Sequence, residues 1–557
     1  MKRIFAQDSP PAKRSRLAKL RAARGEYECF QIGVHCPTGF PRELSVEAGE
    51  LRSKDGTIPS GCVKVLWAGL VPVPFNTAWQ QRGDVERMAP DFFPDPLFAR
   101  AEDVTSRPRP LHGGKYPQTG SLWVRVEVPR DARAGDYAGP IRLKNDKQET
   151  TVGVSLRVYP IVLPAARLYM TNWFFPSLMA RFCKTPLMTD EFWRTLELYA
   201  ADMALHGQNT ILTPLGSLGA AVEGAPLPQL VAIQEVSKGR YRFDFRVFDR
   251  WCELFFRHGF ALIEGGHLAG GSRSATPFWI VGVDGRPYQR SGEVQSAEHI
   301  VFLRQLLPAV RKHIASKGWL DRFVLHISDE PHGDQLKPYS ELVSLVRELA
   351  PGVPIIDAMG DPSFAHLIDQ PVPIESAYEE FAKRASVPRE SIWFYYCCGP
   401  TGRYPNRFVD YTLIRVRIFT WLAWKYRVKG FLHWGYNYWD WHPPQRKLPH
   451  NPYDNVTGGV LEAGDPLVVY PPVDPDVSKA PVPSIRWEII GRAMHDYSYL
   501  AMLDERLSGC GSRTRAAKLA ALRSLVDKKI VPSFEGHTRD TALFLDVRRR
   551  LAEAVNW

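Results

Sequence analysis

Between residues 26 and 164, apolar and polar positions alternate, as in Leu122-Trp123-Val124-Arg125-Val126-Glu127-Val128 and Val152-Gly153-Val154-Ser155-Leu156-Arg157-Val158. A period of two is the mark of strands with one buried face. Turn clusters such as Asp131-Ala132-Arg133-Ala134-Gly135-Asp136 separate the runs, and no long helical pattern intervenes. Residues 25–165 are therefore expected to form an antiparallel β-sandwich. Beyond Arg167, short apolar runs alternate with amphipathic stretches. Candidate strands fall at 168–175, 209–215, 261–267, 322–327, 354–359, 372–377, 391–397 and 430–439, with helical spacing at 190–206, 246–258, 295–317, 337–349 and 411–427. Eight strand-helix units within 166–507 predict an α/β fold, a (β/α)8 TIM barrel with insertions.

Residues 442–483 hold ten prolines and no helical period, which predicts a long loop after the eighth strand, a place where function tends to reside. The stretches 484–507, 513–530 and 538–556 read as helices. The first is expected to close the barrel, and residues 508–557 to form a C-terminal helical extension.

Composition narrows the class. A chain of 557 residues with 45% hydrophobic content folds, and folds into more than one unit. Its charge of +11 sits at the ends: residues 1–24 carry eight Lys/Arg against one Asp, and residues 505–557 eleven against six acids. A nucleic-acid groove would place basic residues among the aromatics, so no nucleic-acid partner is expected, and residues 1–24 read as a basic, solvated N-terminal arm. No apolar run reaches the ~20 residues of a membrane span. Lys13-Arg14-Ser15-Arg16 interrupts any secretory signal, which points to a cytoplasmic chain or one whose export signal has been removed. The eight cysteines show neither a C-x-x-C pair nor zinc-site spacing, so neither a metal nor another cofactor is expected. Cys397 and Cys398, neighbours on a presumed strand, should face opposite ways.

Catalytic groups of such a barrel project from strand C-termini. The fourth strand ends in His326-Ile327-Ser328-Asp329-Glu330-Pro331, two adjacent carboxylates closed by a proline that biases Glu330 toward extended backbone. Other strand ends offer Asn172-Trp173, Glu264 with His267, Asp357, Glu375 and Tyr395-Tyr396. The eighth gives Trp434-Gly435-Tyr436-Asn437-Tyr438-Trp439-Asp440-Trp441, five aromatics in eight residues. Aromatic faces stack on the apolar face of a sugar ring while a few polar groups hold its rim. The glycine-rich run 265–271 lacks the lysine and spacing of a phosphate cradle and reads as a loop.

Two carboxylates beside an aromatic platform suggest glycoside hydrolysis. Ordinary glycosidases set theirs on opposite sides of the bond, ~5–5.5 Å apart for retention and ~6.5–9.5 Å for inversion, which sequence neighbours can hardly do. Adjacent carboxylates suit a substrate that supplies its own nucleophile, a 2-acetamido carbonyl. Glu330 would then protonate the leaving oxygen and Asp329 orient the acetamido group. A different carboxylate, Glu264, Asp357 or Glu375, as nucleophile on another sugar is the alternative, as is a non-catalytic carbohydrate-binding barrel.

At these residues the chain resembles glycoside hydrolase family 123. The resemblance rests on residues 326–331, on 424–439 (Trp424 to Trp439), on Gly464-Asp465 with Tyr470-Pro471, and on 23–31 at the start of the sandwich. It implies a retaining, exo-acting β-N-acetylgalactosaminidase with Asp329 and Glu330 as the catalytic pair, acting on an oligosaccharide or glycoconjugate. The substrate-binding candidates are Asn172, Trp173, His267, Asp357, Tyr396, Trp434, Tyr436, Asn437 and Trp439.

Overall fold

The computed structural model describes residues 1–36, 44–78, 84–105, 118–218, 228–270, 274–440, 451–457 and 461–556. In its first third, Tyr27–His35, Thr119–Glu127, Val63–Val73 and Asp91–Phe98 form one antiparallel sheet. A second sheet is built on Glu149–Val162 and Gly135–Lys144, and both sheets feed the same apolar core. The alternation in 122–126 works as expected on one face, where Leu122, Val124 and Val126 are fully buried. The other face is not solvent: Trp123 and Arg125 both reach Glu488 on the helix Ile485–Ser508. That helix covers the sheet and joins it to the rest of the molecule.

The N-terminal arm is solvated only in part: residues 11–17 are exposed, and the chain on either side of them packs on the fold. Leu17–Arg24 is a strand paired in parallel with Glu149–Val162, and Arg3 and Phe5 are buried, Arg3 against Glu86 and Asp95. The basic residues disguised the pattern: Lys19 and Arg21 take the outward positions of the strand, while Ala22 is buried.

In the remaining two thirds, eight short strands run parallel in three ladders. Tyr169–Asn172 pairs with Gly430–His433, which pairs with Phe394–Tyr395; Thr210–Thr213 pairs with Leu262–Gly265 and then Phe323–Leu325; Ile356–Ala358 pairs with Gln370–Val372. Single parallel bridges, Leu325 to Ile355 and Ile374 to Tyr395, join the ladders. Asn209 spans the remaining gap, its N–H donating to the Met170 carbonyl (3.3 Å) and its side-chain oxygen accepting from the Met170 N–H (2.9 Å). All eight strands or their adjoining residues contribute to a second, separate apolar cluster, including Tyr169, Leu212, Leu262, Val324, Ile356, Val372, Tyr395 and Leu432. Gly430 is required there, because any Cβ would strike the Trp393 indole at 2.2 Å.

The sixth strand differs from expectation, at 370–372 rather than 372–377. Prolines 371 and 373 hid it, since proline cannot donate to a ladder. Here their carbonyls accept from the Trp393 and Tyr395 N–H groups, both at 3.1 Å, so no proline donor is missed on that side. A four-stranded sheet of Ala232–Ser237, Arg240–Asp244, Phe278–Val281 and Pro287–Arg290 is inserted around the third strand and was not foreseen.

Helices Asp190–Leu205, Ala297–Ser316 and Ile485–Ser508 begin at Thr189, Ser296 and Ser484, whose side chains accept an N–H three residues on, as N-caps do. Arg513–Leu525 and Thr541–Val555 follow. No helix among the described residues is long and apolar enough to cross a membrane.

Candidate active site

Beyond Leu325 the fourth parallel strand loses its ladder, and three buried residues precede the exposed pair Asp329-Glu330. His326 is fully buried between two fully buried carboxylates, its Nε2 2.6 Å from Glu264 and its Nδ1 2.8 Å from Asp357. Both ring nitrogens must carry hydrogen to serve carboxylates, so the ring is an imidazolium. Burial opposes that charge, but the two carboxylates outweigh it and raise the His326 pKa to about 10. Glu264 also accepts from Thr171 Oγ1 (2.6 Å) and Trp173 Nε1 (2.9 Å). Asp357 accepts from the Tyr339 hydroxyl (2.7 Å) and the N–H groups of Ile327 and Ser328. Burial nonetheless lifts Asp357 above the ordinary carboxylate range. The His326 ring is held from all sides, with His267 stacked on it at 4.3 Å and Trp173 edge-on at 5.8 Å.

This cluster fixes the backbone that presents the pair. Asp329 opens to solvent on one side, yet enough protein surrounds the rest that burial, together with the charge of Glu330, raises its pKa to about 6. Glu330 does not take the extended backbone that Pro331 favours; its φ is +43°, in the left-handed region. A non-glycine residue there costs about 1–3 kcal/mol and persists where surroundings over-determine it, as at functional sites. Its carbonyl lies 3.1 Å from His332 Nδ1, and its Oε1 accepts from the Tyr395 hydroxyl.

The candidate binding residues divide. Trp173 and His267 lie against the His326 cluster. Trp434 and Tyr438 are half-buried, in edge-to-face contact at 5.2 Å, and the Trp434 indole N–H donates to Asp465 (3.1 Å). Tyr436, Asn437 and Trp439 are fully buried structural residues: Tyr436 donates to Asp202, Asn437 binds both backbone groups of Phe175, and Trp439 donates to the Val469 carbonyl. The aromatic run therefore serves two layers; Trp441 lies outside the described residues. Asn172 is buried too, its amide oxygen accepting from Arg407 (2.6 Å). Asp357 is consumed by the cluster.

Of the tyrosine pair, the sequence pointed to Tyr396, which is buried in the outer core with no partner for its hydroxyl among the described residues; Tyr395 is the one that touches Glu330. Alternation along the strand separates the two, and the signal was available once the strand's inner face was known. Asp465 was also left without a role. Burial raises it to about 7, and it sits under Trp434 and 3.3 Å from His433 Nε2. The alternative nucleophiles fare poorly: Glu264 and Asp357 are paired, and Glu375 is 1% exposed with neither oxygen hydrogen-bonded.

His267, His326 and Asp357 also place metal-ligand atom types within 4.8 Å of one another. Both nitrogens of His326 already hold carboxylates, so a cation taking either of them would have to displace a short hydrogen bond.

Residues 173–503 match the family model described as Glycoside hydrolase 123, catalytic domain, which is more than half of the chain and includes the Asp329-Glu330 pair. The chain belongs to the glycoside hydrolase 123 family. It is a glycosidase by that membership. Its fold resembles that of a family 123 glycoside hydrolase from Clostridium perfringens, described for glycolipid glycan hydrolysis, with a TM-score of 0.71 over 97% of this chain and 93% of that one at 19% identity. A β-glucuronidase from Parabacteroides merdae (TM-score 0.31, 10% identity, 79% of this chain and 53% of that one) and a GH10 xylanase from Thermobacillus composti (0.30, 10%, 59% and 97%) are too distant in shape to carry an argument. A search of curated proteins finds no match.

Proposed function

We propose that this glycosidase is a retaining, exo-acting β-N-acetylgalactosaminidase, or acts on a closely related 2-acetamido-hexoside, by substrate-assisted catalysis. The eight parallel strands, chained by their ladders and bridges around one inner apolar cluster, form a (β/α)8 barrel in this reading, with the Asp329-Glu330 pair at the C-terminal mouth.

The observation that carries the mechanism is the inventory of carboxylates at the strand ends. Asp329 and Glu330 are open, and Glu264, Asp357 and Glu375 are sealed. A conventional retaining pathway needs a second open carboxylate across the sugar, and these three do not supply it. Tyr395 occupies Oε1 of Glu330, which leaves Oε2 to carry the proton to the glycosidic oxygen. The acetamido carbonyl oxygen of the substrate attacks the anomeric carbon as the leaving group departs. Ionised Asp329 accepts the acetamido N–H and balances the positive charge that develops on the ring so formed. Water then attacks the anomeric carbon, giving its proton to Glu330, as the bond from that carbon to the acetamido oxygen breaks and the acetamido carbonyl is restored. Trp173 and Trp434 frame the sugar. The likeness to an enzyme described for glycolipid glycan hydrolysis supports a glycoconjugate substrate.

The test is a panel of nitrophenyl glycosides, 2-acetamido and plain. Turnover confined to the acetamido sugars, with inhibition by a thiazoline analogue of the cyclic intermediate, is expected. Comparable turnover of plain hexosides, or full activity in Asp329→Asn, would sink the mechanism.

A further inference from the structure

Cys397 and Cys398 were expected on opposite faces of a strand, but the strand ends at Tyr395, and their sulfurs lie 3.6 Å apart. The Cys397 N–H donates to the Gly399 carbonyl (2.7 Å) and its own carbonyl accepts from Asn406 (2.9 Å), a tight turn that places both thiols on one side. Cys398 is exposed and Cys397 half-buried. The turn follows directly on Tyr395, whose hydroxyl holds Glu330, and the Cys398 sulfur lies close enough to Glu330 to feel its charge.

We propose that Cys397 and Cys398 are a redox site at the edge of the glycosidase centre, closing under a hydroperoxide to a vicinal disulfide that draws Tyr395 away from Glu330, and reopening under a thiol reductant. The consequence for catalysis rests on the function proposed above; the thiol chemistry does not.

Three features support the chemistry. The sulfurs already lie 3.6 Å apart, so closure involves only the 397–398 turn. Cys398 is reachable by a small oxidant, and the hydrogen bond from Cys397 favours its thiolate, pulling its pKa down to about 7 while Cys397 is pushed up. An exposed, low-pKa thiolate beside a resolving thiol is the arrangement of redox-active cysteines. With hydrogen peroxide, the Cys398 thiolate attacks one oxygen, the O–O bond breaks, and the departing hydroxide takes up a proton as water, leaving a sulfenic acid. The Cys397 sulfur then attacks the Cys398 sulfur, forming the S–S bond. The sulfenic hydroxyl leaves with the Cys397 proton as a second water. Two thiols are oxidised by two electrons and one peroxide is reduced by two. Adjacent Cα atoms are ~3.8 Å apart, below the usual disulfide span of ~4.4–6.8 Å, so closure must bend the 397–398 backbone and the bond should be readily reduced. Tyr395, which holds Glu330, lies two residues upstream of that bend.

The experiment treats the reduced full-length chain with equimolar hydrogen peroxide, then reads intact mass, the peptide containing 397–398 and hydrolysis of a nitrophenyl 2-acetamido glycoside. Expected are loss of two hydrogens confined to that peptide, at least a tenfold fall in kcat/KM, and recovery of both on adding dithiothreitol. Cys398→Ser should keep its activity through the same treatment. The proposal is overturned if the pair stays reduced or runs on to sulfinic acid, if the disulfide forms without loss of activity, or if Cys398→Ser is inactivated alike. The mass readout needs no substrate. A chain that forms the disulfide yet hydrolyses no glycoside even when reduced counts against the proposed function, not against the thiol pair.

Discussion

The same kind of residue is used in opposite ways at two places in this molecule. Where the antiparallel sheets meet the helix Ile485–Ser508, buried carboxylates are saturated by arginine. Glu488 accepts from Arg125 (2.5 Å) and lies 3.3 Å from His206; Asp496 is gripped by Arg417 (2.7 Å) and Arg548 (2.5 Å) and by the Trp421 indole (3.0 Å). Burial pushes both acids up, and their cations more than reverse it, leaving each near 2. At the other site, no arginine among the described residues pairs with Asp329 or Glu330, and Asp329 rises to about 6. Both arrangements are costly to build. One spends its charges on holding two layers of the fold together, and the other keeps its charge unsatisfied and available to a substrate.

The largest test of the contrast is Glu330→Gln. Removing a positioned general acid should cost about 10²–10⁴-fold in kcat/KM on an acetamido glycoside, with the thermal midpoint essentially unmoved because the side chain is exposed. Asp496→Ala should do the reverse. Deleting one partner of a buried ion pair leaves Arg417 and Arg548 unmatched and destabilises by about 3–5 kcal/mol, visible in urea titration. The fold that remains should keep kcat near wild type. Because the folded pKa values of Asp496 and Glu488 are depressed, their contribution is complete above about pH 4.5 and lost as pH falls toward 2. A midpoint that does not drop with acid over that window would contradict the reading of these pairs as net stabilising.

These two regions were unequally legible in the sequence. The Asp329-Glu330 pair stood out because both carboxylates are local, ending an apolar run before a proline. The arginine network was invisible: Arg125 and Glu488 are 363 positions apart, and an alternating Arg125 looks like any solvent-facing strand residue. The basic N-terminal stretch misled for the same reason, since Arg3 finds Glu86 and Asp95 only after folding. The aromatic run of 434–439 was overread. Local composition shows that aromatics cluster, but whether Tyr436 faces a ligand or Asp202 depends on the helix Asp190–Leu205 that packs behind it.

Tyr395→Phe probes the boundary between the two uses at smaller scale. The hydroxyl holds Glu330 through one hydrogen bond, so removing it leaves that side chain less constrained. A hydrogen bond to a charged group is worth about 1.5–3 kcal/mol, which corresponds to roughly 10–100-fold in kcat/KM, with KM little changed. Wild-type kcat in the variant would show that the tyrosine only packs there.

Asp329→Asn has a small expected effect on stability, about 1 kcal/mol, and is the most diagnostic of the comparison, because its sign is opposite to that at Asp496. The folded state binds the Asp329 proton more tightly than the unfolded chain, about 6 against an ordinary 3.8. Its favourable contribution is therefore complete below pH 3.8 and lost as pH rises through 6, so at neutral pH the ionised group is a burden. Two pKa units correspond to about 3 kcal/mol. The carboxyl is partly open to water, which screens it to nearer 1 kcal/mol. Asparagine removes the charge but keeps the shape, so the variant should be more stable than wild type by about 1 kcal/mol at pH 7.5, and the advantage should vanish near pH 4. It should also lose most of its activity. A variant less stable than wild type at pH 7.5 would place Asp329 with the structural carboxylates, held by partners rather than waiting for one.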